Sequence, residues 1–207
     1  EHGLQSGEGR SRTDIGLPGV QQELLEEIYK VNPNIVLVLN NGRPLALPWA
    51  AEHIPAIVEA WHLGTQSGNA IAQVLYGDYN PSGKLPMTFP RHVGQLPIYY
   101  NHKNTGRPTM NEPEIVFWSH YIDEKNTPLF AFGHGLSYSK FEYSNLKLSS
   151  NSFSANETIL VQVELKNNSA VEGKEVVQLY IRDMVGSYTR PVKELKGFEM
   201  VTLKPYE

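Results

Sequence analysis

The chain has 207 residues, of which 40% are hydrophobic and 19% charged, and its formal net charge at pH 7 is −4. This composition is typical of a folded protein with a substantial core. The lack of a basic block argues against a nucleic-acid partner. The chain contains no cysteine, which excludes disulfides, thiolate metal sites and cysteine nucleophiles. No run approaches the ~18 apolar residues that a membrane span needs, so we expect no membrane partner.

The two ends of the sequence have the features of cut points. The first residue is Glu rather than Met, and the last five residues, LKPYE, stop within a pattern. We therefore expect a piece of a longer protein, in which a missing signal peptide says nothing about export.

The first part of the chain alternates between helical and extended patterns. A polar, Gly-rich loop over 1–12 precedes a helix predicted over about 20–29, whose apolar stripe is formed by Val20, Leu24, Leu25 and Ile28. The unbroken apolar run at 35–39 is typical of a strand covered on both faces. A short helix at 49–53, a strand at 56–61 and a helix at 64–75 follow. This order predicts an α/β layered domain.

Turn signals follow the last of these helices. Gly77 stands where a left-handed residue ends a helix. The sequence NPSG at 80–83 predicts a tight turn, in which Gly83 can take a positive φ. In α/β sheets, ligands bind beyond the C-terminal ends of the strands. Here that rule points to the loops after Leu39 and Trp61.

The pattern changes twice more along the chain. Residues 91–128 show polar turns and scattered aromatic residues, which indicates a functional or connecting segment. Alternating apolar and polar residues then predict strands at 141–148, 158–167, 175–182 and 192–203. These are typical of an antiparallel sandwich, with four of its usual seven strands. We expect domains at 1–98 and 138–207, joined by a connector at 99–137.

Five motifs in a fixed order indicate a family. They are LNNGRP at 39–44, GNAIAQVLYGDYNPSGKLPMTFP at 68–90, FGHGLSY at 132–138, EGKEVVQLY at 172–180 and RPVKELKGF at 190–198. Together they resemble the C-terminal part of family 3 glycoside hydrolases, most of all the periplasmic bacterial β-glucosidases. The resemblance covers nearly the whole chain. It implies a partial α/β sandwich domain followed by a partial, all-β fibronectin III-like sandwich.

The resemblance also implies an activity and partners. Such enzymes are retaining exo-β-glucosidases that act on a β-glucoside or oligosaccharide, without a cofactor, in the periplasm or outside the cell. Their nucleophilic Asp lies on an N-terminal barrel, which we expect as the partner domain, so this chain alone should be inactive. The protein could also form a homodimer. Two alternative functions stay open: a β-xylosidase or other β-glycosidase of the same family, and a non-catalytic pair of modules that binds carbohydrate or a protein partner.

Glu8 is the candidate acid/base. A retaining glycosidase needs a second carboxyl group to protonate the leaving group, and burial or negative charge must raise the pKa of such a group. From composition alone, Glu8 is a solvated loop residue. The resemblance places it at the family's acid/base position, between two glycines. Glu1, at the start of the same loop, is a candidate for holding that loop in place, although a solvated surface role has equal weight.

Other candidates are weaker. Arg12 resembles an arginine that follows the acid/base and pairs with a local carboxylate, although a plain surface role has equal weight. Trp61, Trp118 and Tyr121 are candidates for the wall of a sugar subsite, although buried aromatic residues are commoner. The seven histidines are scattered, so we expect no metal site. Asn156 and Asn167 begin glycosylation patterns.

Overall fold

The computed structural model describes residues 8–104, 106–107, 117–154 and 156–207, which form two compact units. The first unit contains the stretch that ends at Ile71, together with Leu85–His134 and Tyr180–Lys196. The second contains Ala72–Lys84, Gly135–Leu179 and Gly197–Glu207. None of the helices in the described ranges is long and apolar enough to cross a membrane.

The first unit contains the predicted α/β pattern. Its elements are α1 (Gln21–Val31), β1 (Val36–Leu39), α2 (Pro48–His53) and β2 (Ala56–Glu59), followed by the start of α3 (Ser67–Tyr76). β1 pairs with β2 in parallel, with Val36 opposite Ala56 and Leu39 opposite Glu59. The parallel pairing brings the carboxyl ends of both strands to one edge, as the sequence predicts.

The core of the first unit lies between α1, β1 and α2. Its buried members are Leu25, Leu39, Leu45, Leu47, Ala50 and Ile54. Beside them the ring of Tyr29 contacts Trp49 edge-on at 5.5 Å, and Trp49 stacks on His53 at 4.4 Å. Burial of these side chains fixes α1 and α2 against the sheet.

The apolar stripe predicted for α1 is wrong in part. Only Leu25 of the four predicted residues is buried, and Tyr29, one turn later, packs beside it. Leu24 and Ile28 are exposed, and they line an apolar groove with Val36 and Val38 of β1. Val36 is also exposed, so β1 is covered less than its unbroken apolar run predicts.

Two glycines define the turns after α3. Gly77 has φ 82°, which confirms the predicted left-handed end of the helix. Gly83 does not use the positive φ that is open to a glycine. Instead, its carbonyl oxygen lies so close to Gly135 that a Cβ on Gly135 would be 2.1 Å away. The backbones of these two segments therefore meet where no side chain fits.

The second unit contains the end of α3 and most of the residues of four β-strands. Strand β3 (Phe141–Leu148) pairs antiparallel with β4 (Val161–Asn167). Strand β5 (Gly173–Ile181) pairs with β6 (Glu194–Leu203) in a separate two-stranded sheet. All four predicted strands are confirmed. The fold is thus an α/β layered part followed by an all-β part of the sandwich type.

Asn167 ends β4 and is completely buried. Its Nδ2 donates to the carbonyl oxygens of Val171 at 2.8 Å, Lys204 at 3.1 Å and Leu203 at 3.3 Å. Its Oδ1 accepts from the Ser169 N–H at 3.0 Å. An asparagine held in this way cannot accept a glycan, so the pattern at Asn167 is structural. Asn156 is exposed.

Candidate active site at the carboxyl edge of the parallel strands

The carboxyl ends of β1 and β2 carry a group of polar side chains. Asn40 and Asn41 follow β1, Glu59 ends β2, and His62 lies shortly after it. The Ala60 N–H donates to the Leu39 carbonyl oxygen at 2.9 Å, and Nδ1 of His62 lies 3.0 Å from Oδ1 of Asn40. The sheet therefore brings the two predicted ligand-binding loops together.

Glu59 organises the loop after β2. Its Oε1 accepts from the Trp61 N–H at 3.0 Å, and its Oε2 accepts from Nδ2 of Asn41 at 3.4 Å. Desolvation by burial raises the pKa of the Glu59 carboxyl, and these two hydrogen bonds oppose the rise only in part. Trp61 has φ 49°, a left-handed conformation that costs a non-glycine residue about 1–3 kcal/mol. The hydrogen bond that the Trp61 N–H donates to Glu59 helps to hold this conformation.

Asn41 links the two loops from a buried position. Its side chain is 1% exposed, and its Nδ2 also donates to the Arg43 carbonyl oxygen at 2.6 Å. Its Oδ1 is buried and has no hydrogen-bond partner among the described residues. A buried oxygen without a hydrogen bond costs free energy of folding. Asn41 is therefore an unusual residue at this edge.

The loop of Glu8 is joined to this edge by Arg43. Glu8 is exposed on a turn, and Gly9 after it has φ 71°, which confirms the need for a glycine there. The Arg43 guanidinium donates to Ser11 Oγ at 3.1 Å and to the Arg12 carbonyl oxygen at 3.0 Å. The chain just after Glu8 is thereby held at the end of β1.

Arg12 stabilises the next part of that loop. Its NH2 donates to the Gly16 carbonyl oxygen at 3.2 Å, while the Gly16 N–H donates to Oδ1 of Asp14 at 2.8 Å. These contacts give Arg12 a part in the structure of the loop. Glu1 lies outside the described residues.

The aromatic candidates are not all at this edge. The Trp61 ring lies 5.9 Å from the ring of Phe89, beside the strand ends. Trp118 stacks on His120 at 4.1 Å, and the Tyr121 hydroxyl lies 3.4 Å from the Gly94 carbonyl oxygen. The described contacts thus place Arg12 and Trp61 near the strand ends, and Trp118 and Tyr121 with other loops. Among the described residues, no cluster of three or more His, Asp or Glu side chains is arranged to hold a metal ion.

Sequence reasoning missed Arg43, Asn41 and Glu59 as parts of the site. A signal for them existed, because Asn41 and Arg43 lie in the loop after Leu39 and Glu59 ends the neighbouring strand. The rule that ligands bind at such strand ends pointed to these loops. It did not say which side chains would face one another.

Comparison with known proteins identifies the class of this chain. Residues 2–138 match the glycosyl hydrolase family 3 C-terminal domain, and residues 175–207 match the fibronectin type III-like domain. The chain therefore belongs to glycosyl hydrolase family 3, of which it contains the C-terminal domain followed by a fibronectin type III-like domain.

Particular relatives are similar over almost the whole chain. A periplasmic β-glucosidase of Salmonella typhimurium is 50% identical over 97% of this chain, and a β-xylosidase of Formosa agariphila is 46% identical over 97%. The solved β-glucosidase from Listeria innocua in complex with isofagomine has 43% identity and a TM-score of 0.96 over 100% of this chain. The chain spans only 26%, 27% and 29% of these three proteins.

Proposed function

We propose that this chain is part of a retaining exo-β-glucosidase, in which Glu8 is the general acid/base. One observation carries the proposal. Arg43, just after β1, holds Ser11 and Arg12, the third and fourth residues after Glu8, and so ties the chain that follows Glu8 to the carboxyl edge of the parallel strands, which is where α/β sheets bind ligands. The similarity to β-glucosidases of Salmonella typhimurium and Listeria innocua supports the choice of reaction.

The proposed reaction has two steps. In the first, an Asp carboxylate from another part of the protein attacks the anomeric carbon, the glycosidic C–O bond breaks, and Glu8 gives its proton to the departing oxygen. In the second, the Glu8 carboxylate takes a proton from water. The water oxygen then bonds to the anomeric carbon and displaces the Asp. The two carboxyl groups must come within about 5–5.5 Å of each other.

The exposure of Glu8 in this chain has a consequence for that reaction. A general acid that works near neutral pH needs a partly desolvated site, and Glu8 is exposed on its turn. We infer that a barrel domain of the same protein supplies the other wall of the cleft. The relatives are about four times as long as this chain, which supports such a partner. Export to the periplasm or beyond is proposed from the same similarity.

The test is a leaving-group series on the full-length protein. E8Q should lower kcat/KM by about 10²–10⁴-fold for alkyl β-glucosides, and far less for 2,4-dinitrophenyl β-glucoside, whose leaving group needs no proton. Added azide should restore part of kcat with the activated substrate and form β-glucosyl azide. E23Q changes an exposed glutamate of α1 in the same way and should leave all rates unchanged. Unchanged kinetics for E8Q would assign the acid/base to another residue.

A β-xylosidase is the second candidate, because the Formosa agariphila relative is named for that activity at 46% identity. The two sugars differ by the C6 hydroxymethyl group. The ratio of kcat/KM for 4-nitrophenyl β-glucoside and β-xyloside distinguishes them. A ratio below one would overturn the β-glucosidase assignment and would leave the proposed role of Glu8 intact.

A further inference from the structure

We infer that Arg43 is a positioning residue for proton transfer, because it fixes the loop that follows Glu8 at the ends of the strands. This inference rests on the proposed function and deepens it. Arg43 need not touch the substrate. Its guanidinium acts on the chain that carries the proposed acid/base.

The contact lies close to Glu8 along the chain. Arg43 NH1 donates to Ser11 Oγ at 3.1 Å and to the Arg12 carbonyl oxygen at 3.0 Å. Ser11 follows Glu8 by three residues, and extended chain spans at most about 3.3–3.6 Å per residue. The covalent chain thus keeps the backbone of Glu8 within about 10 Å of Ser11, and Arg43, by fixing Ser11 and Arg12, fixes the point from which that short segment extends.

Arg43 is itself held in place. The buried side chain of Asn41 donates to the Arg43 carbonyl oxygen at 2.6 Å, and Asn41 is tied to Glu59 at the end of β2. Further along, the Ala46 N–H donates to the Ile15 carbonyl oxygen at 3.0 Å. The segments that contain Glu8 and Arg43 thus run together from a fixed strand end, so a change at Arg43 is transmitted to the loop.

Arginine suits this contact. NH1 serves a hydroxyl and a backbone carbonyl together, and the planar guanidinium loses less freedom for each hydrogen bond than a flexible ammonium group does. Lysine carries a point charge on a flexible stem and would hold the two oxygens less firmly. Since a displacement of about 1 Å at a reacting group can cost about 10²-fold in rate, a looser anchor should show in catalysis.

The experiment measures kcat/KM of the full-length protein and its R43A, R43K and S11A variants on β-glucosides of increasing leaving-group pKa. R43A should lose about 10–100-fold with alkyl leaving groups and less than about threefold with 2,4-dinitrophenyl β-glucoside. R43K should recover part of the loss. S11A removes one of the two acceptors and should lose less, with the same dependence on the leaving group.

Arg91 provides the matched control. Its Nε donates to the Thr127 carbonyl oxygen at 3.0 Å and lies 3.9 Å from Glu124, so R91A also removes an arginine that ties two loops. Any effect of R91A should be equal for all leaving groups. An equal loss for all leaving groups in R43A, or no loss at all, would overturn the inference.

E8Q and the double variant E8Q/R43A separate this inference from the proposed function. If Arg43 acts through Glu8, R43A should add little to the loss seen in E8Q. A steep leaving-group dependence in E8Q with a flat one in R43A overturns the role of Arg43 alone. A flat dependence in E8Q overturns the proposed function and the role of Arg43 with it.

Discussion

Lys84 Nζ lies 3.0 Å from Oε2 of Glu175, and the two side chains are only 14% and 11% exposed. The same ammonium group donates to the Gly135 carbonyl oxygen at 2.8 Å. The Tyr143 hydroxyl donates to the other carboxylate oxygen of Glu175 at 3.1 Å. Desolvation, with the nearby charge of Glu175, raises the pKa of Tyr143 well above its usual value. This network joins β3 and β5 to the turn after α3 within the second unit.

Breaking this ion pair should destabilise the protein strongly. We expect E175Q or K84M to lower the free energy of unfolding by about 3–5 kcal/mol, because each leaves a buried charge without its partner. The double variant K84M/E175L should lose less than the two single variants together, since no charge then stays buried. Chemical unfolding measures all three.

The control for these variants is a solvent-exposed ion pair on the surface of the protein. Lys30 pairs with Glu27 on the exposed face of α1, and K30M should have no measurable effect on unfolding. Equal effects of K84M and K30M would contradict the importance of burial at Lys84.

Glu59 should make stability depend on pH in a definite direction. Its pKa in the folded protein is raised from about 4.5, mainly by desolvation, so the folded state binds this proton more tightly than the unfolded state. Its stabilising contribution is therefore complete below about pH 4.5 and is lost as the pH rises through the folded-state pKa. E59Q removes this dependence. The difference in unfolding free energy, wild type minus E59Q, should fall as the pH rises above about 4.5.

Urea unfolding at a series of pH values measures this difference. E23Q, at an exposed position of α1, serves as the control for the loss of a carboxylate. A difference between wild type and E59Q that rises with pH would mean that the hydrogen bonds from Trp61 and Asn41 outweigh the burial.

Asn167 should be sensitive to substitution although it starts a glycosylation pattern. N167A leaves three carbonyl oxygens and the Ser169 N–H without their partner. We expect a loss of about 2–3 kcal/mol in the free energy of unfolding. Asn168, whose exposed side chain donates to Glu142, is the control, and N168A should change stability by less than about 0.5 kcal/mol. Thermal unfolding distinguishes the two, and equal effects would contradict the role of Asn167.

The chain of 207 residues should not hydrolyse aryl β-glucosides by itself. The proposed nucleophile lies in another part of the protein, and Glu8 alone cannot form the glycosyl-enzyme. An assay with 4-nitrophenyl β-glucoside should give no turnover, and titration calorimetry with glucose and cello-oligosaccharides should give no binding heat. Turnover would contradict the proposal that the nucleophile lies in another part of the protein. Binding without turnover would favour a non-catalytic carbohydrate-binding module.

Most of the secondary structure could be predicted because its causes are local. The unbroken apolar run before Leu39 indicated β1, and the alternation of Val161, Val163 and Leu165 indicated β4. Helix α1 was also predicted, but the exposure of Leu24 and Ile28 was not. Periodicity says which residues share a face, and it does not say what covers that face.

The site could be predicted only in outline. The strand-end rule predicted that the loops after β1 and β2 lie together, as they do, whereas the bonds from Arg43 to Ser11 and Arg12 join residues about thirty positions apart. No local pattern encodes such a contact. The left-handed backbone conformation of Trp61 could not be predicted either, because glycine is the residue that usually adopts this conformation. The close approach of the Gly83 carbonyl oxygen to Gly135 was not predicted either, because these residues are about fifty positions apart.

The close approach of Gly83 to Gly135 bears on how relatives can be recombined. Asn80 accepts from Ser137 Oγ and the Tyr138 N–H at 2.8 Å each. The backbones come within a distance that leaves no room for a Cβ. Residues 77–84 and 135–139 are therefore one interlocked unit, although some fifty positions separate them. Chimeric enzymes assembled from two parents of this family should inherit both segments from the same parent, so a single crossover point should not lie between residues 84 and 135.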